Sequence, residues 1–134
     1  MDAPGILLVE GEDEGLERVL RKYHIDNLVA RVPDRDQAFS LLRSGFAGQV
    51  QLLILDYSVC GAQSLEAVLR VRAMPGLDRL PAIVACGSPE EESQVRAWSL
   101  SRTAAMSKPA GFFKLLECIQ KLEMRWFVFA SKTG

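Results

Sequence analysis

Gln51-Leu52-Leu53-Ile54-Leu55-Asp56 is a short apolar run that ends on an acid, and a loop-like stretch, Tyr57-Ser58-Val59-Cys60-Gly61, follows it. Consecutive branched aliphatic residues without polar alternation predict a strand covered on both faces of a parallel sheet, because a strand with one wet face alternates. An acid at the carboxyl end of such a strand stands where open α/β sheets collect their ligands. Taken alone, Asp56 is adequately explained as the cap of the next turn. Two other strand ends alter that reading. Ile6-Leu7-Leu8-Val9 runs into Glu10-Gly11-Glu12-Asp13-Glu14, and Thr103-Ala104-Ala105-Met106-Ser107 runs into Lys108-Pro109. In a parallel sheet the three tips open on one edge and bring together a central aspartate, a group of acids and a lysine. That set suits a carboxylate that accepts a phosphoryl group: the acids hold Mg²⁺, metal and lysine neutralise the phosphoryl oxygens, and Asp56 is the nucleophile.

Outward from these tips the apolar pattern switches between short runs and helical spacing. Strands are predicted at Ile6 to Glu10, Leu28 to Val32, Leu52 to Leu55, Ala82 to Ala85 and Thr103 to Ser107. Between them Leu16, Val19, Leu20 and Tyr23 recur at helical spacing, then Ala38, Leu41 and Leu42, then Leu65, Val68, Leu69 and Arg72. The breaks have ordinary chemistry. Pro33-Asp34 opens one helix, Ser44-Gly45 closes it, Pro75-Gly76 closes the third, and Ser88-Pro89-Glu90-Glu91 supplies a cap, a first-turn proline and first-turn acids. Repeated β-then-α units imply right-handed crossovers and a three-layer α/β sandwich.

The 134 residues, 49% hydrophobic and 25% charged, describe one globular domain with a normal core. A net charge of −1 gives no footprint for nucleic acid or an anionic membrane. No apolar run has the length of a membrane span or of a secretion signal, and Cys60, Cys86 and Cys118 lack metal-ligand spacing, so reduced thiols in a cytoplasm are expected. His24 has no second histidine beside it and reads as a surface residue. Trp98, with Val95 three residues before it, reads as packing.

From Ile6 to about Leu122 the chain resembles the receiver domains of two-component response regulators. Asp56 falls at the phosphoacceptor position, Lys108-Pro109 at the family's Lys-Pro pair, and Leu80-Pro-Ala-Ile-Val-Ala-Cys86-Gly87-Ser88 at the fourth strand and its switch position. Ala73-Met-Pro-Gly-Leu-Asp-Arg-Leu-Pro-Ala-Ile-Val and the Trp126-Phe127 extension are similar to the single-domain regulators that partner phytochrome histidine kinases. The resemblance implies a flavodoxin-like fold with strand order 2-1-3-4-5 and five helices, a domain core of about 5–122 with an extension over 123–134, and no enzymatic or DNA-binding output within the sequence. It also implies Mg²⁺ held by Glu10, Glu12, Asp56 and the backbone carbonyl of Ser58, a sensor histidine kinase as partner, and cytoplasmic signalling.

Departures fall on working positions. Receivers carry two adjacent acids after the first strand, and here Glu10 is followed by Gly11, so Mg²⁺ binding is expected to be weakened unless Glu12 or Asp13 reaches in. Cys86 stands where a Thr or Ser hydroxyl senses the phosphate, and a thiol donates only weakly; it also reads as a small buried apolar residue. Ala105 replaces the aromatic residue that swings inward on activation, and Ser64 and Cys60 replace a Gly and a Pro of the acceptor loop. Gly87 and Ser88 remain as sources of small groups and N–H donors. A pseudo-receiver, a binding module independent of phosphorylation, is therefore the alternative. An aspartate-nucleophile phosphatase is disfavoured because Asp56-Tyr57-Ser58 breaks Asp-x-Asp, and a flavin binder because Glu10 to Glu14 would repel a phosphate. Beyond the last helix Met124, Trp126, Phe127, Val128 and Phe129 are more apolar mass than a small domain buries, which points to a homodimer anchored by Trp126, Phe127 and Phe129. Folding of the tail onto its own domain is the other outcome.

Overall fold

The computed structural model describes residues 5–12, 15–22, 28–108 and 112–122. Five parallel strands, β1 (Gly5–Val9), β2 (Leu28–Val32), β3 (Val50–Asp56), β4 (Ala82–Cys86) and β5 (Thr103–Ser107), form one sheet in the order β2-β1-β3-β4-β5. The helices are α1 (Gly15–Lys22), α2 (Arg35–Arg43), α3 (Ser64–Arg72), α4 (Pro89–Ala97) and α5 (Phe112–Lys121). A short helical turn, Tyr57–Cys60, and two 3₁₀ turns, Phe46–Gly48 and Gly61–Gln63, complete the described elements. Strand order and helix number are those the resemblance implied.

Strand side chains alternate between two cores. Ile6, Leu8, Leu52, Ile54, Ile83, Ala85 and Met106 pack with Leu16 and Leu20 of α1 and Leu115, Cys118 and Ile119 of α5. On the opposite face Leu7, Val9, Leu53 and Leu55 pack with Phe39 and Leu42 of α2 and Val68 and Val71 of α3. Tyr57, Val84, Cys86 and Val95 form a smaller cluster beneath α4, with Trp98 and Ala105 packed against it. Every residue of β1 and β4 is buried, which accounts for their unbroken apolar sequences. Trp98 lies one residue past the end of α4, as its C-cap.

The sequence punctuation acts as read. Asp34 accepts the amide of Gln37 at 2.8 Å and Ser88 that of Glu91 at 3.2 Å, each capping its helix, and Pro89 opens α4 where its missing N–H costs nothing. Gly45 takes φ 123° just past α2, a conformation open to glycine and strained for a side chain. Gly5 is required for space: a Cβ there would lie 2.8 Å from Cζ of Phe46 and 2.9 Å from the carbonyl oxygen of Gln49. Gly5→Ala is accordingly expected to cost about 1–3 kcal/mol in urea unfolding, the usual range for overpacking. An unchanged midpoint would show that the Phe46 turn yields freely.

Candidate functional site

Parallel pairing sets Asp56 beside Ala85 and Val9 beside Leu55, so Glu10, Asp56, Cys86 and Lys108 all reach the carboxyl edge of the sheet. Two backbone bonds extend this edge past the strands: Glu10 N–H to the Val32 carbonyl at 3.1 Å and Lys108 N–H to the Cys86 carbonyl at 2.7 Å.

Asp56 is 1% exposed and fully engaged. Lys108 Nζ lies 2.9 Å from both Oδ1 and Oδ2, and Oδ1 also accepts the Ser58 amide at 3.0 Å and the Ser58 hydroxyl at 2.8 Å. The residue thus caps the Tyr57–Cys60 turn and pairs with a cation across the site, joining the two readings its position allowed. Lys108, which on its own would read as a solvated strand-end lysine, has a side chain only 20% exposed.

Glu10 is placed differently from expectation. It is 0% exposed, and its carboxylate faces the start of α1, where Oε2 accepts the Leu16 amide at 2.7 Å and Oε1 the Glu17 amide at 3.2 Å. It thereby supplies hydrogen-bond acceptors to orphan N–H groups of that helix and complements its dipole. Arg31, from β2, sets Nε 3.8 Å from Oε1 of Glu10 and 3.8 Å from Oε1 of Glu17, and one of its terminal nitrogens donates to the Gly11 carbonyl. Glu12 is exposed. Ser58 meets Asp56 through its amide and hydroxyl. Among the described residues no group of three or more His, Cys, Asp or Glu side chains could hold a metal ion. Octahedral Mg²⁺ needs several convergent oxygens at about 2.0–2.1 Å. With Gly11 bare, Glu10 on the helix and Asp56 on Lys108, the described donors do not fit it.

Cys86 and Ala105, the positions that the resemblance assigns to a switch, pack in and against the cluster beneath α4. Cys86 is 0% exposed and its Sγ donates to the Val84 carbonyl of its own strand at 3.5 Å. Burial, with a smaller push from Glu91 and Glu92, raises its thiol from 9.0 to about 11, so it stays neutral. Beside Ala105 the cluster contains Tyr57, whose hydroxyl donates to Oε1 of Gln94 on α4 at 2.6 Å, and Trp98. The Gly87 amide, expected to face an anion, donates to Oε1 of Glu91 at 2.7 Å. Ser64 is fully buried, with its Oγ unpartnered among the described residues.

No protein-family model matches the chain, and no curated protein matches it. Solved structures do. The bacteriophytochrome response regulator RtBRR is 27% identical with a TM-score of 0.79, covering 97% of this chain and 83% of its own. The bacteriophytochrome response regulator AtBRR is 26% identical with a TM-score of 0.81, covering 97% and 99%. The chain has the receiver fold of these response regulators. A phosphorylated cyanobacterial phytochrome response regulator, RcpA, shares the fold at 22% identity and a TM-score of 0.67, over 96% of each chain.

Asp56 and Lys108, singled out at two strand ends in the sequence, are brought together at 2.9 Å. Arg31, the Ser58 hydroxyl and the Tyr57–Gln94 bond were not foreseen. One signal for Arg31 was available: it is the lone charge in the otherwise aliphatic Leu28-Val29-Ala30-Arg31-Val32. Asp13, His24, Pro109 and the tail residues Met124, Trp126, Phe127, Val128 and Phe129 lie outside the described residues.

Proposed function

We propose that this receiver takes part in two-component signal transduction as a single signalling domain rather than an enzyme, with Asp56 as its phosphoryl acceptor. The observation that carries the reading is the buried Asp56 carboxylate with Lys108 Nζ at 2.9 Å from both oxygens. In the transfer an Asp56 oxygen forms a bond to phosphorus, and the donor's bond to phosphorus breaks with its electron pair leaving on the donor. Lys108 is placed to offset the negative charge on the transferred oxygens. The donor is proposed to be a sensor histidine kinase of the phytochrome class, since regulators named for bacteriophytochromes match over 97% of the chain. Among the described residues no helix is long and apolar enough to cross a membrane, which agrees with a cytoplasmic setting. Incubation with acetyl phosphate followed by intact-mass measurement tests the acceptor: one phosphoryl group should attach to the wild type and none to Asp56→Asn.

A second reading, a pseudo-receiver that binds partners without phosphorylation, is favoured by Glu10 facing α1, Cys86 bonded to its own strand and Glu91 occupying the Gly87 amide. Under that reading the same incubation leaves the mass unchanged.

The homodimer built on α5 and the tail is part of the proposal, with Trp126, Phe127 and Phe129 as anchors. Leu115, Ile119 and Leu122 are buried in the core, leaving the tail aromatics as additional apolar mass. Light scattering should give a dimer for the full chain and a monomer for a chain ending at Glu123. A full-length monomer, or a dimer that persists in the shortened chain, removes the tail from the interface.

A further inference from the structure

We infer that Arg31 is a resident cation in the acidic corner of this site, holding by guanidinium charge the place that a second acid and a divalent metal would otherwise share. Its ion pairs to Glu10 and Glu17, each 3.8 Å, span the β1–α1 connection, and its bond to the Gly11 carbonyl fixes the group over the residue that lacks a carboxylate. Among the described residues the buried Nε atom has no hydrogen-bond partner, so there it is held by charge and not by hydrogen-bond geometry. A buried donor without a hydrogen bond is unfavourable, and two nearby carboxylates can offset that in a partly buried setting. Space is not the obstacle to an acid at position 11. Among the described residues a Cβ there would meet only Cγ2 of Val59, at 3.5 Å, an ordinary contact. What differs is the charge already present.

Asp56 has Lys108, Glu10 has Arg31, and Glu17 has Arg31 at 3.8 Å as well as Arg21 at 3.0 Å, so the edge carries protein cations against these carboxylates. An aspartate introduced at Gly11 would arrive beside the Arg31 guanidinium, which would pair with it in competition with Mg²⁺. Arg31 is thus a positioning and charge-balancing residue that competes with metal.

The test is calorimetric titration of Mg²⁺ into the full chain, a readout independent of phosphoryl transfer, so it can fail while the acceptor proposal stands, or the reverse. Wild type is expected to give no saturable heat, and Gly11→Asp weak binding. Gly11→Asp with Arg31→Gln should bind at least about tenfold more tightly than Gly11→Asp alone, the scale of losses seen when a metal site's supporting groups are wrong. Gly11→Asp with Arg31→Lys keeps the charge and should stay at the single variant's level. Equal affinity with and without Arg31 overturns the inference. Should the Arg31→Gln variant fail to fold, the wild type decides: saturable Mg²⁺ heat overturns the inference and its absence supports it.

Discussion

Lys108→Ala should lower the unfolding free energy by about 3 kcal/mol, whereas Asp56→Asn should change it by less than about 1 kcal/mol. The asymmetry follows from burial. Asp56 has a side chain 1% exposed and Lys108 one that is 20% exposed. Removing the lysine leaves a buried carboxylate without its counter-ion, and breaking one partner of a buried pair costs about 3–5 kcal/mol. The lower end applies because the truncated lysine opens a path for solvent and Ser58 still donates its amide and hydroxyl to Oδ1. In Asp56→Asn the amide oxygen can keep both Ser58 bonds, and the freed ammonium can extend toward solvent on its aliphatic stem. Urea midpoints at constant m-value measure both. Equal losses for the two variants would place the stabilisation in the lysine stem's packing and not in the pairing.

How far the site could be read from residues alone depended on whether a property was local. The strand tips at Val9, Asp56 and Ser107 were legible because doubly covered strands leave uninterrupted aliphatic runs, and the helix starts at Asp34 and Ser88 because caps are local chemistry. Bringing Asp56 to Lys108, 52 positions apart, required only that the sheet be parallel. Glu10 was misplaced for a different reason. An acid after a strand faces both the crevice and the next helix's N–H groups, and a choice between them depends on side-chain direction and on Arg31, which arrives from a neighbouring strand. The same holds at Gly87, whose amide reads as an open donor until α4 places Glu91 on it. Tyr57 is adjacent to Asp56 in sequence, yet its bond to Gln94 depends on how α4 packs over β4.

The most direct test of the account is the rate of acetyl phosphate labelling, followed by intact mass, in excess Mg²⁺ and in chelator. Acceptance by Asp56 breaks the phosphorus–oxygen bond to acetate, which leaves with the electron pair, and forms the new bond at a carboxylate oxygen. With Lys108 at 2.9 Å as the cation at Asp56 and Arg31 neutralising Glu10, slow labelling is expected at the same rate with and without metal. It should vanish in Asp56→Asn and fall by about 10²–10³-fold in Lys108→Ala, the cost typical of removing a group that stabilises developing charge. Gly11→Asp with Arg31→Gln should make it metal-dependent. Labelling that is absent from the wild type, that persists in Asp56→Asn, or that requires Mg²⁺ in the wild type would contradict the account.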